Sequence, residues 1–479
     1  MLAQIHRNKR SAVLVSVLFV ALLVYTWHSL NLESLLPAPL LHGGHKQVPI
    51  VAARMHEVTC PGPIGEQIPS KRIPLVRGRN VSSTTHGQTL SVPKVVVLIF
   101  YGRRNTVSIL DCYLKASLLG EALCSCVLEV LPSFGVSACL KPLLLKDLRC
   151  RFCIRNLVSN GGLIDEVIWL RRTEKEEDLE FLQKLLDSES RYSKRDVDRT
   201  EASGFASAYD GMDDDTLYIK IDDDVVFIDD DAILSMICTK LTHPEYYIVS
   251  ANVVNQPMIS WLHWNLGAVL PYLPDTTNPY PKLKPGERVD WRASTLPDYE
   301  GHEELDMLEW KSPDQKKHRW LPIRNRTDHV LDGTPIVHTE YHAFGKGLGH
   351  WQIGAQQHYS FFENLENKQL HKYKFNIWDF QLKRLGIQFM VVLGKDINGA
   401  KPIGQDDEQH FSVTMPEKTG RAAVADGRAI VAHYSFGPQS EQLPTTDILD
   451  RYRSYAAEQI CRKPMLWSPE DEVPKQPLS

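Results

Sequence analysis

The chain has 479 residues, 43% apolar and 24% charged, with 54 basic against 59 acidic side chains and a net charge of −5. That is the composition of a folded globular protein and excludes a disordered, collagenous or multi-span membrane chain. It also lacks the positive excess that neutralising a nucleic-acid backbone needs, so no nucleic acid is expected as a partner.

Residues 11–32 (SAVLVSVLFVALLVYTWHSLNL) carry no charged side chain, and at about 1.5 Å per residue they just span a hydrocarbon core of about 30 Å. Arg7, Lys9 and Arg10 precede them, which keeps residues 1–10 cytosolic and places the rest of a single-pass type II chain in the lumen. A cleaved signal peptide is the competing reading, but no clean small-x-small site follows. The triplets at Asn80 and Asn325 are glycosylation acceptors of the kind a lumenal chain carries. Of 9 cysteines, Cys112, Cys124, Cys126, Cys139, Cys150 and Cys153 fall close together, and an oxidising compartment would pair them in up to three bridges. A zinc site on Cys124, Cys126, Cys150 and Cys153 is the weaker alternative, because these spacings fit no standard ligand pattern. Cys60, Cys238 and Cys461 remain, which leaves at least one thiol without a bridge.

Residues 33–92 are rich in Pro, Gly, Ser and His without period, which predicts a stem. Order begins at Pro93. Lys94–Tyr101 (KVVVLIFY) is a continuous apolar run of strand length, as expected of a strand buried on both faces. Residues 161–170 predict a second strand, and residues 174–186, with Leu179, Phe181, Leu182, Leu185 and Leu186 at helical spacing, an amphipathic helix. A further helix is expected over 198–209, then a third strand at Leu217–Ile221 (LYIKI). Strand, helix and strand in succession predict an α/β fold with a mainly parallel sheet flanked by helices, whose ligands gather beyond the carboxyl ends of the strands. Residues 255–350 read as long ordered loops, and the segment 438–479 as one helix near 446–461 with a loose tail.

Three aspartate triplets occur at 213–215, 222–224 and 229–231. The first precedes a strand and reads as a solvated turn; the third precedes AILSMICTKL, so Asp229 or Asp230 is expected to cap a helix. Only Asp222, Asp223 and Asp224 lie at the end of an apolar strand. Carboxylates held in a row there repel one another, and a divalent cation with hard oxygen ligands removes that cost while gaining an anchor for phosphate. An EF-hand is excluded, because no register from Asp222 supplies its Gly at position 6 or its Glu at position 12.

The stretch Lys220–Ile228 (KIDDDVVFI) resembles the strand-plus-DxD element of GT-A glycosyltransferases, and in particular the fringe-like and β1,3-glycosyltransferase group. Gln405-Asp406-Asp407-Glu408 is similar to the acidic motif that carries that group's catalytic base, and His433, 26 residues beyond Asp407, stands where such enzymes place a metal-binding histidine. The order of elements matches over residues 94–437, and within the group the chain looks most like a fungal branch of type II membrane enzymes. The long stretch 263–373 departs from these enzymes and leaves the acceptor open.

The resemblance implies a Golgi or ER membrane enzyme with a catalytic domain at 93–437. It would use Mn²⁺ or Mg²⁺ and a nucleotide-sugar, of which a UDP-sugar is the expected one, to glycosylate a glycan, a glycoprotein or a small-molecule hydroxyl. Asp224, Asp222 and His433 become the metal ligands, Asp222 and Asp223 the groups near ribose or sugar, and Asp407 the base, with Asp406 and Glu408 as seconds. An imidazole beside carboxylates favours manganese. From the residues alone, Asp379 is a rival base. Tyr101, Arg103 and Arg104 follow the first strand, where Tyr101 could stack on uracil and the arginines could meet phosphate. Lys220 could neutralise phosphate or reach solvent, and Trp261, Trp264, Trp291 and Trp320 could offer faces to sugar rings or simply pack. Two other functions fit the same features: a non-catalytic lumenal binding protein on a decayed transferase scaffold, and a metal-dependent phosphoesterase.

Overall fold

A computed structural model describes residues 56–59, 89–115, 162–198, 205–283, 287–301, 306, 308–311, 317–324, 331–347 and 349–469, all within the unit Ala53–Ser479. The proposed anchor at 11–32, both glycosylation triplets, and Cys60, Cys124, Cys126, Cys139, Cys150 and Cys153 lie outside the described residues. Among the described residues no helix is long and apolar enough to cross a membrane.

The segment read as a stem contains two short strands, β1 (His56–Thr59) and β2 (Thr89–Val92), paired antiparallel. Four residues each are too few to show a period. The main sheet has nine strands. They are β3 (Val95–Tyr101), β4 (Glu166–Arg171), β5 (Tyr192–Asp196), β6 (Leu217–Asp222), β7 (Val225–Ile228) and β8 (Tyr246–Val254), then, after an isolated antiparallel pair of β9 (Tyr272–Pro274) with β10 (Trp320–Pro322), β11 (Trp378–Asp379), β12 (Phe389–Leu393) and β13 (Ala422–His433). The spatial order is β11-β13-β8-β12-β6-β3-β4-β5, with β7 also on β13. The β6-β3-β4-β5 ladders and the β8-β13 ladder are parallel; β12 runs antiparallel between β6 and β8, and β7 and β11 run antiparallel to β13. The sheet is therefore mixed but mostly parallel.

Alternation along β3 explains why the whole run is apolar. Val95, Val97, Ile99 and Tyr101 enter one core, and Val96, Leu98 and Phe100 the other. The first core is covered by α1 (Arg104–Lys115), α2 (Glu176–Ser188) and α3 (Ala232–Thr242). The second takes side chains from α4 (Pro257–Asn265), while the first is completed by α5 (Trp351–Glu366) and α6 (Ile448–Gln459).

Several expectations are corrected. Of the helix expected over 198–209, residues 199–204 lie outside the described residues, and the described end forms a 3-10 turn, Ala206–Tyr209. The unpredicted β5 is a short charged edge strand, the type that blunts a sheet edge. The cap of α3 is Asp231, not Asp229 or Asp230; it makes no side-chain capping bond, and the Asp229 carboxylate pairs with Lys374 at 3.2 Å instead. The 255–350 region holds α4, opened by Pro257 and capped by the Gln256 side chain, which accepts from Ile259 N at 2.8 Å.

Cys112 is bonded not within its sequence cluster but to Cys461, 349 positions away, and this ties the segment after α6 to α1. Cys238 is disulfide-bonded as well. The C461S variant is expected to lose about 2–5 kcal/mol of stability, read as the shift of the urea midpoint; an unchanged midpoint would mean the bridge does not constrain the chain.

Two histidines, His263 on α4 and His358 on α5, are fully buried. His263 Nε2 meets Asn252 Oδ1 at 2.7 Å, and His358 joins the Tyr452 hydroxyl at 2.8 Å to the Tyr434 carbonyl at 3.0 Å. Burial depresses each to about 3. Unfolding therefore takes up protons at any pH between that value and the ordinary imidazole value of about 6.5. The stability they contribute is complete above that ordinary value and falls as pH drops below it, by about 2 kcal/mol per histidine at pH 5. Urea midpoints are expected to fall between pH 6.5 and 5, and to fall less in His263→Gln.

Candidate metal centre

β6 ends on Asp222, Asp223 and Asp224 turn the chain, and β7 leaves antiparallel to β13 with Val225 opposite His433. A register shift between Ala432 and His433 accompanies that pairing. The turn and the β7–β13 pairing thus bring Asp224 against His433 although about two hundred residues separate them. Asp222, Asp224 and His433 each present a ligand atom, and these atoms lie within 4.8 Å of one another, so the three form a group able to hold a metal ion.

His433 Nε2 is 2.8 Å from Asp224 Oδ1 and 3.7 Å from Asp222 Oδ2. Asp224 is 1% exposed, yet neither of its oxygens takes part in a hydrogen bond of good geometry, and the same holds for His433 Nδ1 and the Tyr434 hydroxyl. Buried polar atoms are rarely left so. A cation among these oxygens and the imidazole nitrogen would satisfy the carboxylate, which is the observation that makes the donor set fit a metal. Burial pushes the Asp224 carboxyl upward, but His433 and Arg103 outweigh it and hold it at about 2. The imidazole is lowered by burial and raised more by Asp224, for a net rise. A proton and a metal would therefore compete for the same nitrogen.

Asp223 faces the other way. Its Oδ2 accepts from Gly102 N at 2.8 Å and its Oδ1 from Arg103 Nε at 3.1 Å. Burial and the Asp224 charge together push it to about 6 against the pull of Arg103. Arg103 Nη2 also lies 3.2 Å from Asp224 Oδ2, and its side chain remains 45% exposed, so it braces the triplet from the surface. A Cβ at Gly102 would come within 3.2 Å of Asp223 Oδ2, a tight approach that a side chain there would make by displacing the carboxylate slightly.

On the second-core side of β6, the ammonium of Lys220 pairs with Asp222 Oδ1 and lies 5.1 Å from the centre of the Phe100 ring. Beyond it stand Asp407 and Glu408. Asp407 is 5% exposed and accepts from the Tyr209 hydroxyl at 2.7 Å; burial raises its carboxyl, with Lys220 and Tyr209 pulling it back only in part. Glu408, also raised by burial, pairs with Arg384. Asp406 caps the turn Asp407–Gln409, accepting from Gln409 N at 3.0 Å, and is bound by Arg384 at 3.0 and 3.1 Å; although burial pushes it up, these bonds hold it below the ordinary carboxylate range. Of the three, Asp406 is occupied by structure, and Asp407 is the buried one facing Lys220.

Other predicted site residues are placed elsewhere. Tyr101 is fully buried, edge-on to Trp169, and donates to the Asp178 carbonyl at 2.5 Å, so it has no face for a base. Arg104 turns to the Trp467 ring, 5.1 Å away. Asp379 is exposed on β11, beside Val424 at the opposite end of β13 from His433, and accepts from Gln381 N at 2.7 Å. Trp291 and Trp320 are buried, with their ring N–H groups directed to Glu458 at 3.0 Å and His318 at 3.3 Å. Trp261 and Trp264 are half-buried, Trp261 against Tyr341. Tyr209 and Arg384 belong to the site without any sequence signal: neither neighbours a motif, and only the fold brings them to Asp407 and Glu408.

No known protein family and no curated protein matches the sequence.

Proposed function

We propose that this chain is a metal-dependent glycosyltransferase that moves a sugar from a nucleoside diphosphate sugar, with UDP as the expected nucleotide, to a hydroxyl acceptor on a glycan, glycoprotein or small molecule, with inversion. The observation that carries the reading is the pairing of two centres: Asp222, Asp224 and His433 with their ligand atoms within 4.8 Å of one another, and Asp407 raised by burial beyond Lys220. A bound cation, with this oxygen and imidazole set manganese before magnesium, would offset charge growing on the diphosphate as it leaves.

The remaining work falls to the chain. Arg103, half-exposed beside the triplet, can meet a phosphate oxygen, and Asp223 keeps that arginine in place. Asp407 takes the proton of the acceptor hydroxyl while that oxygen bonds to the anomeric carbon; the bond from that carbon to the diphosphate oxygen breaks, and the electron pair leaves with the nucleotide. The raised carboxyl suits a base, because a more basic carboxylate accepts a proton more readily. Residues 11–32 would hold the enzyme in a Golgi or ER membrane with this domain lumenal.

The test is nucleoside diphosphate release by the full-length chain with Mn²⁺ and a panel of nucleotide-sugars, with and without acceptors. Metal-dependent release that chelation abolishes and Mn²⁺ restores better than Mg²⁺ is expected. Failure to bind any nucleotide-sugar with Mn²⁺ present overturns the reading.

A further inference from the structure

Tyr341 and Phe344 belong to the stretch 263–373, which departs from the glycosyltransferases the chain resembles, and they meet the segment 381–384 through side-chain contacts. The Lys383 ammonium lies 4.8 Å from the centre of the Tyr341 ring, and the Arg384 guanidinium 5.5 Å from that of Phe344. Tyr341 is held in place: its hydroxyl accepts from Trp378 Nε1 at 2.8 Å, and Trp261 packs on it with ring centres 5.2 Å apart. Phe344 is left open. It is 64% exposed, the most of any large apolar side chain among the described residues, and Leu382 is 48% exposed. A lone apolar side chain on a surface needs no explanation, but these two stand on segments joined by the ring contacts. Gln381 and Leu382 have φ of 51° and 60°, a left-handed conformation that residues with a side chain rarely adopt, so the fold imposes the turn that presents this surface.

Arg384 connects the open ring to the acidic motif. The same guanidinium binds Asp406 at 3.0 and 3.1 Å and pairs with Glu408, the residues on either side of Asp407. Phe344 therefore stands one arginine away from the motif that carries the candidate base. Nearby charges are already matched: Lys346 lies 3.7 Å from Glu340, and Asp379 accepts from Gln381 N at 2.7 Å. That pairing disfavours an ionic ligand. An apolar ring rimmed by hydrogen-bonding groups suits a pyranose, which has C–H bonds on a face and hydroxyls around its edge.

We propose that Phe344, with Lys383 and Arg384 at its rim, is a platform for an uncharged sugar unit of the acceptor, so that the chain glycosylates a carbohydrate. Naming that sugar as the acceptor rests on the glycosyltransferase reading; the binding of sugar to the platform does not.

Saturation-transfer difference NMR on the full-length protein, with mannobiose, lactose and N,N′-diacetylchitobiose as probes, tests the platform in Phe344→Ala and Phe344→Tyr. At least one disaccharide is expected to bind the parent, with saturation concentrated on the C–H protons of one ring face. Loss of the ring in Phe344→Ala is expected to weaken that binding about tenfold, and Phe344→Tyr, which keeps the ring, to bind like the parent. An exposed ring contributes little to stability, so both variants should melt with the parent. Where the sugar is an acceptor, its KM should rise by the same factor in Phe344→Ala. Saturation transfer to none of the three sugars, or binding unchanged in Phe344→Ala, overturns the proposal. So does a dimer of the parent that Phe344→Ala disperses while no sugar binds, which would assign the face to a second copy of the chain. Sugar binding weakened in Phe344→Ala, in a protein that turns over no nucleotide-sugar, would keep the platform and remove the transferase reading.

Discussion

Asp224→Asn is expected to lower Mn²⁺-dependent turnover of a nucleotide-sugar about a thousandfold, the rate equivalent of about 4 kcal/mol of lost electrostatic stabilisation. The substitution keeps the shape and removes the charge at the most buried carboxylate of the centre, the one that stands against His433 and Arg103. Because amide oxygen is a poorer ligand than carboxylate, the rise in melting temperature on adding Mn²⁺ should vanish with it. The uncomplexed variant should fold, since Asp224 holds β7 to β13 through its backbone, where Tyr434 N donates to its carbonyl at 2.9 Å. A variant that still responds to Mn²⁺ like the parent would show that the ion, if any, binds elsewhere.

Asp407→Asn separates the two centres. Loss of a general base costs typically about 10²- to 10⁴-fold in kcat, and the Mn²⁺-induced shift in melting temperature should remain, because Asp407 is not one of the three grouped ligands. The parent should also lose activity as pH falls through the Asp407 carboxyl, which burial sets above its ordinary value. Since the active form is the ionised one, activity is retained above that value and lost below it, and the variant profile should lack this limb. Equal loss of Mn²⁺ response in both variants would argue that Asp407 acts through structure.

Much of the scaffold was legible because it obeys simple periods. The β3 and β6 runs, the leucine spacing of α2 and the terminal helix could be read to within a few residues, as could the solvated turn at Asp213–Asp215. α5 was not, because it is buried nearly all round and its interior face includes polar groups: Gln356 accepts from Ile336 N at 2.8 Å, and Asn364 donates to the Ala268 carbonyl at 2.7 Å. Such a helix shows neither an apolar stripe nor a polar face. α4 hides in the same way. The strand-end position of Asp222–Asp224 marked them against the two other triplets, and the metal group includes two of them with His433. What sequence could not supply was the division of labour inside each motif. That Asp223 turns to Arg103, that Asp406 is spent on Arg384 and its own helical turn, and that Tyr101 is sealed in the core all depend on partners distant in the chain.

The late strand β12 sits between β6 and β8, and β13 lies beyond β8. During synthesis β3 is already made when β6 emerges, but the ribosome must deliver about 170 residues after Asp222 before β12 arrives, and a nascent chain halted before β12 leaves that flank of β6 unpaired and aggregation-prone. Capture of an ion by Asp222, Asp224 and His433 would accordingly be one of the last events of maturation, which would make metal retention a practical reporter of whether a preparation has finished folding.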